Sequence, residues 1–189
     1  MKFAGYNESM GWPADMQIRV AASPDALLEL LWLRHYGVGQ AEPGLPAADL
    51  PDDPVRTEDE FLVTAWEAFW DRALEHLRMV HELDPGAVSS RPDLWEVPRA
   101  TELAERLRLE PGEPVRSWAK RLHANPSAEF AAGEALRSAW ESGLRVVIDV
   151  PMRGEFAAKV GESTMLVSAA SRANPFSYGR ALIGYVRGM

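Results

Sequence analysis

One long amphipathic helix constrains this chain more than any other feature, and the sequence predicts it from Thr57 to about Leu83. At about 100° per residue, Leu62, Ala65, Trp66, Phe69, Trp70, Ala73, Leu74, Leu77 and Val80 fall on an arc close to half the circumference. Opposite lies a stripe of Glu67, Asp71, Glu75, Arg78 and Glu82, the pattern of a solvated face. Thr57 and Glu60 have capping-box spacing, and Glu58, Asp59 and Glu60 place negative charge at the positive helix end. Asp84-Pro85-Gly86 stops it. An apolar arc of that length must be covered by other elements.

A second helix is predicted after Ser23-Pro24, with Gly37 closing it. Leu27, Leu28, Leu30, Leu31, Trp32 and Leu33 leave only Glu29, Arg34 and His35 as clear polar interruptions. A helix apolar nearly all round is buried on more than one side, so this is read as the central helix of the core.

Strands are predicted where polarity alternates. Met16, Ile18, Val20 and Ala22 share one face of a strand over 16–22. Leu144, Val146, Ile148 and Val150 share one face of a strand over 144–150, with Arg145 and Asp149 on the other. A third runs over 164–170, and Lys2–Tyr6 offers a further edge strand. The strands at 144–150 and 164–170 are read as antiparallel neighbours. Shorter helices are expected at about 99–109 and 114–124, then from Asn125-Pro126 to Gly143, and last from Asn174-Pro175 to about Val186. With 189 residues, folding can remove roughly 70% of the unfolded chain's surface from water. The expectation is a single globular domain over 1–189 of the α+β class. It is helix-rich, with a small, mostly antiparallel sheet of about three to four strands and helices packed mainly on one face.

Residues 37–56 interrupt this pattern. Pro43, Pro46, Pro51 and Pro54, with Gly37, Gly39 and Gly44, predict a long proline-rich loop without regular structure. Its two Pro-x-x-Pro spacings could dock in aromatic grooves, but Asp52 and Asp53 make it acidic, and it is read as a stiff spacer.

Several function classes are disfavoured at once. The chain has no cysteine, which excludes disulfides, thiolate metal sites and cysteine nucleophiles. A net charge of −8 disfavours nucleic-acid binding. The densest basic stretch, Arg116, Lys120 and Arg121 around Trp118, is read as a solvated helix face. No apolar run has the length of a signal peptide or a membrane span, so a cytoplasmic protein is expected. His76 and His81 lie about 140° apart on their helix and cannot bind one ion from the same face. His76 is read as a core histidine and His35 as a cation at a helix C-terminus. Gly37-Val38-Gly39 follows a helix instead of a strand, and the segment from Gly154 to Ser163 lacks a Lys after its second Gly, so neither is a phosphate loop. No metal and no cofactor are expected.

Two groups of residues remain as candidates. Trp32, Trp66 and Trp70 lie on the apolar sides of the two main helices and could anchor a partner or wall a pocket. Asp149 and Glu155 belong to a polar concentration at a strand end, with Arg153, Lys159, Glu162 and Ser163. The leading reading is a non-catalytic cytoplasmic binding or accessory protein, acting through a protein–protein interface with another protein or a second copy. The alternative is a small-molecule-binding protein or enzyme with its pocket between the 57–83 helix and the sheet. In that case Trp66 and Trp70 are the walls, and Asp149 or Glu155 the polar contact.

Overall fold

Two unbroken apolar runs, Val146-Val147-Ile148 and Met165-Leu166-Val167, set the architecture, because a strand apolar on both sides must be covered on both sides. The computed structural model describes residues 12–39, 44–55, 59–83, 85–94, 99–120 and 127–189. The predicted strand at Lys2–Tyr6 and the caps at Thr57 and Asn125-Pro126 lie outside these residues. Four strands form one sheet: β1 (Arg19–Ala22), β2 (Val146–Val150), β3 (Ala157–Val160) and β4 (Thr164–Ser168), in the order β1-β2-β4-β3.

The α+β class stands, but the sheet is mixed and not mostly antiparallel. β1 pairs parallel with β2, β2 pairs parallel with β4, and only β3 and β4 are antiparallel. The reason is β3, which sits in what the sequence offered as a polar connection. It runs back along β4 and takes the antiparallel place beside it, while β2 pairs with the other side of β4 in parallel.

Helices cover both faces, not mainly one. On the first face lie α1 (Asp25–Leu33), α2 (Glu60–Glu82), α4 (Thr101–Leu107) and α5 (Gly112–Ala119), over a core that includes Val146, Ile148, Val150 and Leu166. On the second lie α7 (Gly133–Glu141) and α9 (Pro175–Arg187), over Met16, Ile18, Val147, Met165 and Val167. Short helices α3 (Pro85–Ser89), α6 (Ser127–Ala131) and α8 (Ala169–Ala173) connect them. Strand alternation explains the division, since Val147 points away from Val146 and Ile148.

Several local signals are relocated. α2 is capped by Asp59, whose carboxylate accepts hydrogen bonds from the Phe61 and Leu62 amides. The helix expected to close at Gly37 continues as a π turn over Arg34–Val38 and stops at Gly39, which has φ of 78°. His35 sits in that turn, buried and not exposed as a terminal cation, and burial pushes its imidazole pKa down.

The proline-rich loop is no free spacer over residues 44–55. Leu45, Ala48 and Leu50 are core residues. Arg34 donates to the carbonyls of Leu45 (2.6 Å) and Pro46 (2.7 Å), Trp118 Nε1 donates to Asp49 O (2.9 Å), and Ala48 bridges to Met152. Two side chains and one backbone bridge thus satisfy backbone groups that prolines keep out of regular structure.

Candidate functional site

The three candidate tryptophans are brought together, but inside the core. Trp66 and Trp70, one turn apart on α2, stack with ring centroids 5.3 Å apart and planes 14° from parallel. They are 0% and 2% exposed. Trp66 Nε1 donates to Leu30 O at 2.7 Å, which ties α2 to α1, and the Arg34 guanidinium lies 5.5 Å from the Trp66 ring centroid. Trp32 is buried in the same cluster and packs against Tyr36.

Asp149 is on the other side of the sheet. Ile148 faces α2, so its neighbour Asp149 faces α8 and α9. The expected grouping of Trp66, Trp70 and Asp149 around one pocket is therefore not formed, because two-residue periodicity separates them. Asp149 instead joins a buried ion cluster. Arg172, on α8, bonds to Asp149 Oδ2 through Nη1 and to Glu129 Oε1 through Nε, both at 2.6 Å. Glu129 is 1% exposed. Glu129 Oε2, Asp149 Oδ1 and the Tyr178 hydroxyl are buried without a hydrogen-bond partner among the described residues. Burial raises the Asp149 pKa, Arg172 opposes it, and Glu129 adds to the rise; burial also keeps Tyr178 protonated.

Two carboxylates sharing one arginine hold β2, α6 and α8 together. Beside them, Ser23, Asp25, Asp149 and Ala169 line a crevice of about 250 Å³ at the carboxyl ends of β1 and β2. Such strand ends are where parallel sheets often bind ligands. Here the Ser23 hydroxyl is directed to Asp149 O at 2.7 Å.

Glu155 is exposed and accepts from Ser177 and from Arg180 (2.6 Å), pinning the turn before β3 onto α9. It does not meet Asp149 in that ion cluster.

Exposed apolar surface lies away from these tryptophans. α9 buries Tyr178, Leu182 and Tyr185, yet carries a second apolar stripe at Phe176, Ile183 and Val186. Phe176 is 85% exposed. Between α7 and α9 runs a groove of about 580 Å³, with Ala131, Ala132, Ala135, Ser138 and Gly179 along it and Phe176 and Ile183 at its edge. A Cβ added to Gly179 would meet nothing within 4 Å, so this part of the groove is open. The sequence held the signal, as positions 176, 179, 183 and 186 share one helical face, but nothing local ranks that stripe above the buried one.

Among the described residues, no group of three or more His, Asp or Glu side chains is placed to hold a metal ion, and no helix is long and apolar enough to cross a membrane. Comparison with known protein families, characterised proteins and solved structures finds no match to this chain.

Proposed function

We propose that this is a non-catalytic cytoplasmic protein that acts by protein–protein contact, and that the contact is made by the α7/α9 face with a second copy of the chain. The observation that carries the reading is Phe176, 85% exposed beside an open groove lined by small residues. Large apolar side chains in such a setting mark interaction sites.

Self-association is favoured over a foreign partner on two grounds. The face offers both a projecting aromatic and a groove of alanine and glycine, which a twofold axis would pair with each other. It also carries Glu134, Glu141 and Glu155 with Arg137, Arg180 and Arg187, a balanced set on a chain of net charge −8. A like-charged copy can approach there without the repulsion it meets elsewhere. Burying one Phe176 contributes about 1.5–3 kcal/mol, and the symmetry supplies it twice.

Sedimentation equilibrium tests this. The wild-type chain is expected at twice its chain mass at concentrations up to about 100 μM, where an interface worth about 5.5 kcal/mol already assembles. Phe176→Asp is expected at the single-chain mass with an unchanged far-UV spectrum. A wild-type monomer over that range, or a Phe176→Asp variant that still dimerises, overturns the reading.

A further inference from the structure

A cleft of about 290 Å³ separates α2 from the outer side of β1, the terminal strand of the sheet among the described residues. It is distinct from the α7/α9 groove and lies on the opposite face of the sheet. Leu77, Val80 and Leu94 supply apolar lining; the polar groups are Arg19 from β1 and, flanking Val80 and Leu77 on α2, His76 and His81. None of the lining residues is acidic, in a chain with 28 acids against 20 bases.

The polar groups have a defined hydrogen-bond sense. Arg19 Nη2 lies 3.2 Å from His81 Nδ1. A guanidinium only donates, so Nδ1 accepts and the ring proton of His81 sits on Nε2. Burial pushes the His81 pKa down to about 4, with Arg19 and His76 acting in the same direction, so the ring is neutral near pH 7. Arg78, Arg116, Arg137, Arg172 and Arg180 each face a carboxylate, whereas Arg19 faces this neutral imidazole. Its positive charge is therefore not cancelled by that contact.

We infer that this cleft binds a small organic monocarboxylate, with its carboxylate on Arg19 and its apolar body against Leu77, Val80 and Leu94. The volume is near the lower end of ligand pockets, about 300–1,000 Å³, and suits a single ring or a short chain. The apolar lining selects against inorganic anions, and Arg19 selects against the uncharged amide of the same shape.

Titration with benzoate, followed through the ring resonances of His76 and His81, tests the inference. Benzamide and inorganic phosphate are the comparison probes. Benzoate at up to about 20 mM should shift both imidazoles saturably, since even affinity in that range is about 2.3 kcal/mol. Benzamide and phosphate should each bind at least tenfold more weakly. Arg19→Gln should weaken benzoate roughly tenfold, the value of one charge-assisted hydrogen bond, while Arg19→Lys should retain most of the affinity. No saturable shift with benzoate overturns the inference, as does phosphate or benzamide binding as well as benzoate, or unchanged affinity in Arg19→Gln. Repeating the titration with Phe176→Asp separates this site from the proposed interface; the benzoate affinity should be the same.

Discussion

The two faces of the sheet bury their apolar residues by different means. On the first face four helices overlap, and α2 carries Trp66 and Trp70 into a layer thick enough to enclose both indoles. On the second face α7 and α9 are the main cover, and the buried layer is made of Leu136, Ala139, Tyr178, Leu182 and Tyr185. With no further layer described outside it, α9 leaves Phe176, Ile183 and Val186 in contact with solvent. Aromatic content alone does not mark a binding surface. What matters is whether another layer of chain covers it.

The largest effects should separate what holds each face. Trp66→Ala removes a fully buried indole and its hydrogen bond to Leu30, and should cost about 3–5 kcal/mol in denaturant unfolding. Arg172→Met should cost as much for another reason, by leaving Glu129 and Asp149 as buried carboxylates without their counter-charge. The second loss should be largely recovered when Glu129 and Asp149 are replaced by leucine as well, because a buried triad can be exchanged for apolar residues at little cost. No such rescue exists for Trp66. If Arg172→Met cost under about 1 kcal/mol, the cluster would not be what fastens α8 to β2.

An intermediate effect is expected with pH. His35 and His81 both have folded-state pKa values below the ordinary 6.5, that of His81 at about 4, and for both the main cause is burial. The unfolded chain therefore takes up protons first, and stability should fall as pH drops from about 6.5 toward 5. His81 is partly solvent-screened, so its share over the whole interval down to its folded pKa is about 1–2 kcal/mol. Asp149 and Glu29, whose carboxyls burial holds above their ordinary values, take up protons first in the folded chain and so oppose this fall. Chemical denaturation across pH 5–7.5 checks the slope, and His81→Gln should flatten it.

The smallest effect concerns α9. Gly179→Ala meets no neighbour and should stabilise the helix by about 0.5–1 kcal/mol, a small rise in melting temperature. By contrast Gly161, at φ of 65° in the β3–β4 turn, lies under α2, where an added Cβ would run into the Glu82 and Arg78 side chains. Gly161→Ala should destabilise. Opposite signs for the two changes would distinguish the open groove at Gly179 from the close contact between the β3–β4 turn and α2.

Much of this fold was legible in the sequence, and the rest fails for identifiable reasons. Asn174-Pro175 marks the start of α9, and Asn174 Oδ1 does accept from the Phe176 and Ser177 amides. The apolar arc of α2 names Trp66, Trp70, Ala73 and Leu77 as inward-facing, as found. The parallel pairing of β1 with β2 was not legible, since the two strands are separated by more than a hundred residues and pairing leaves no local mark. The run Val146-Val147-Ile148 does carry the signal of two-sided burial, but reading it as simple alternation hides Val147. Nor does any spacing foretell that Asp149, Arg172 and Glu129 converge, because their contact depends on that unread topology. Ser23 shows the same limit: it has the position of a helix cap, yet its hydroxyl bonds to β2.

The most direct test of the central claim uses the absence of cysteine, which makes any introduced thiol unique. Ser138→Cys places one in the α7/α9 groove, and Asp71→Cys places one on the exposed side of α2. Thiol-labelling rates should be measured for both variants across a dilution series. The account predicts that Cys at position 138 becomes protected as concentration rises, while Cys at position 71 reacts at one rate throughout. Concentration-independent labelling at both positions would contradict it.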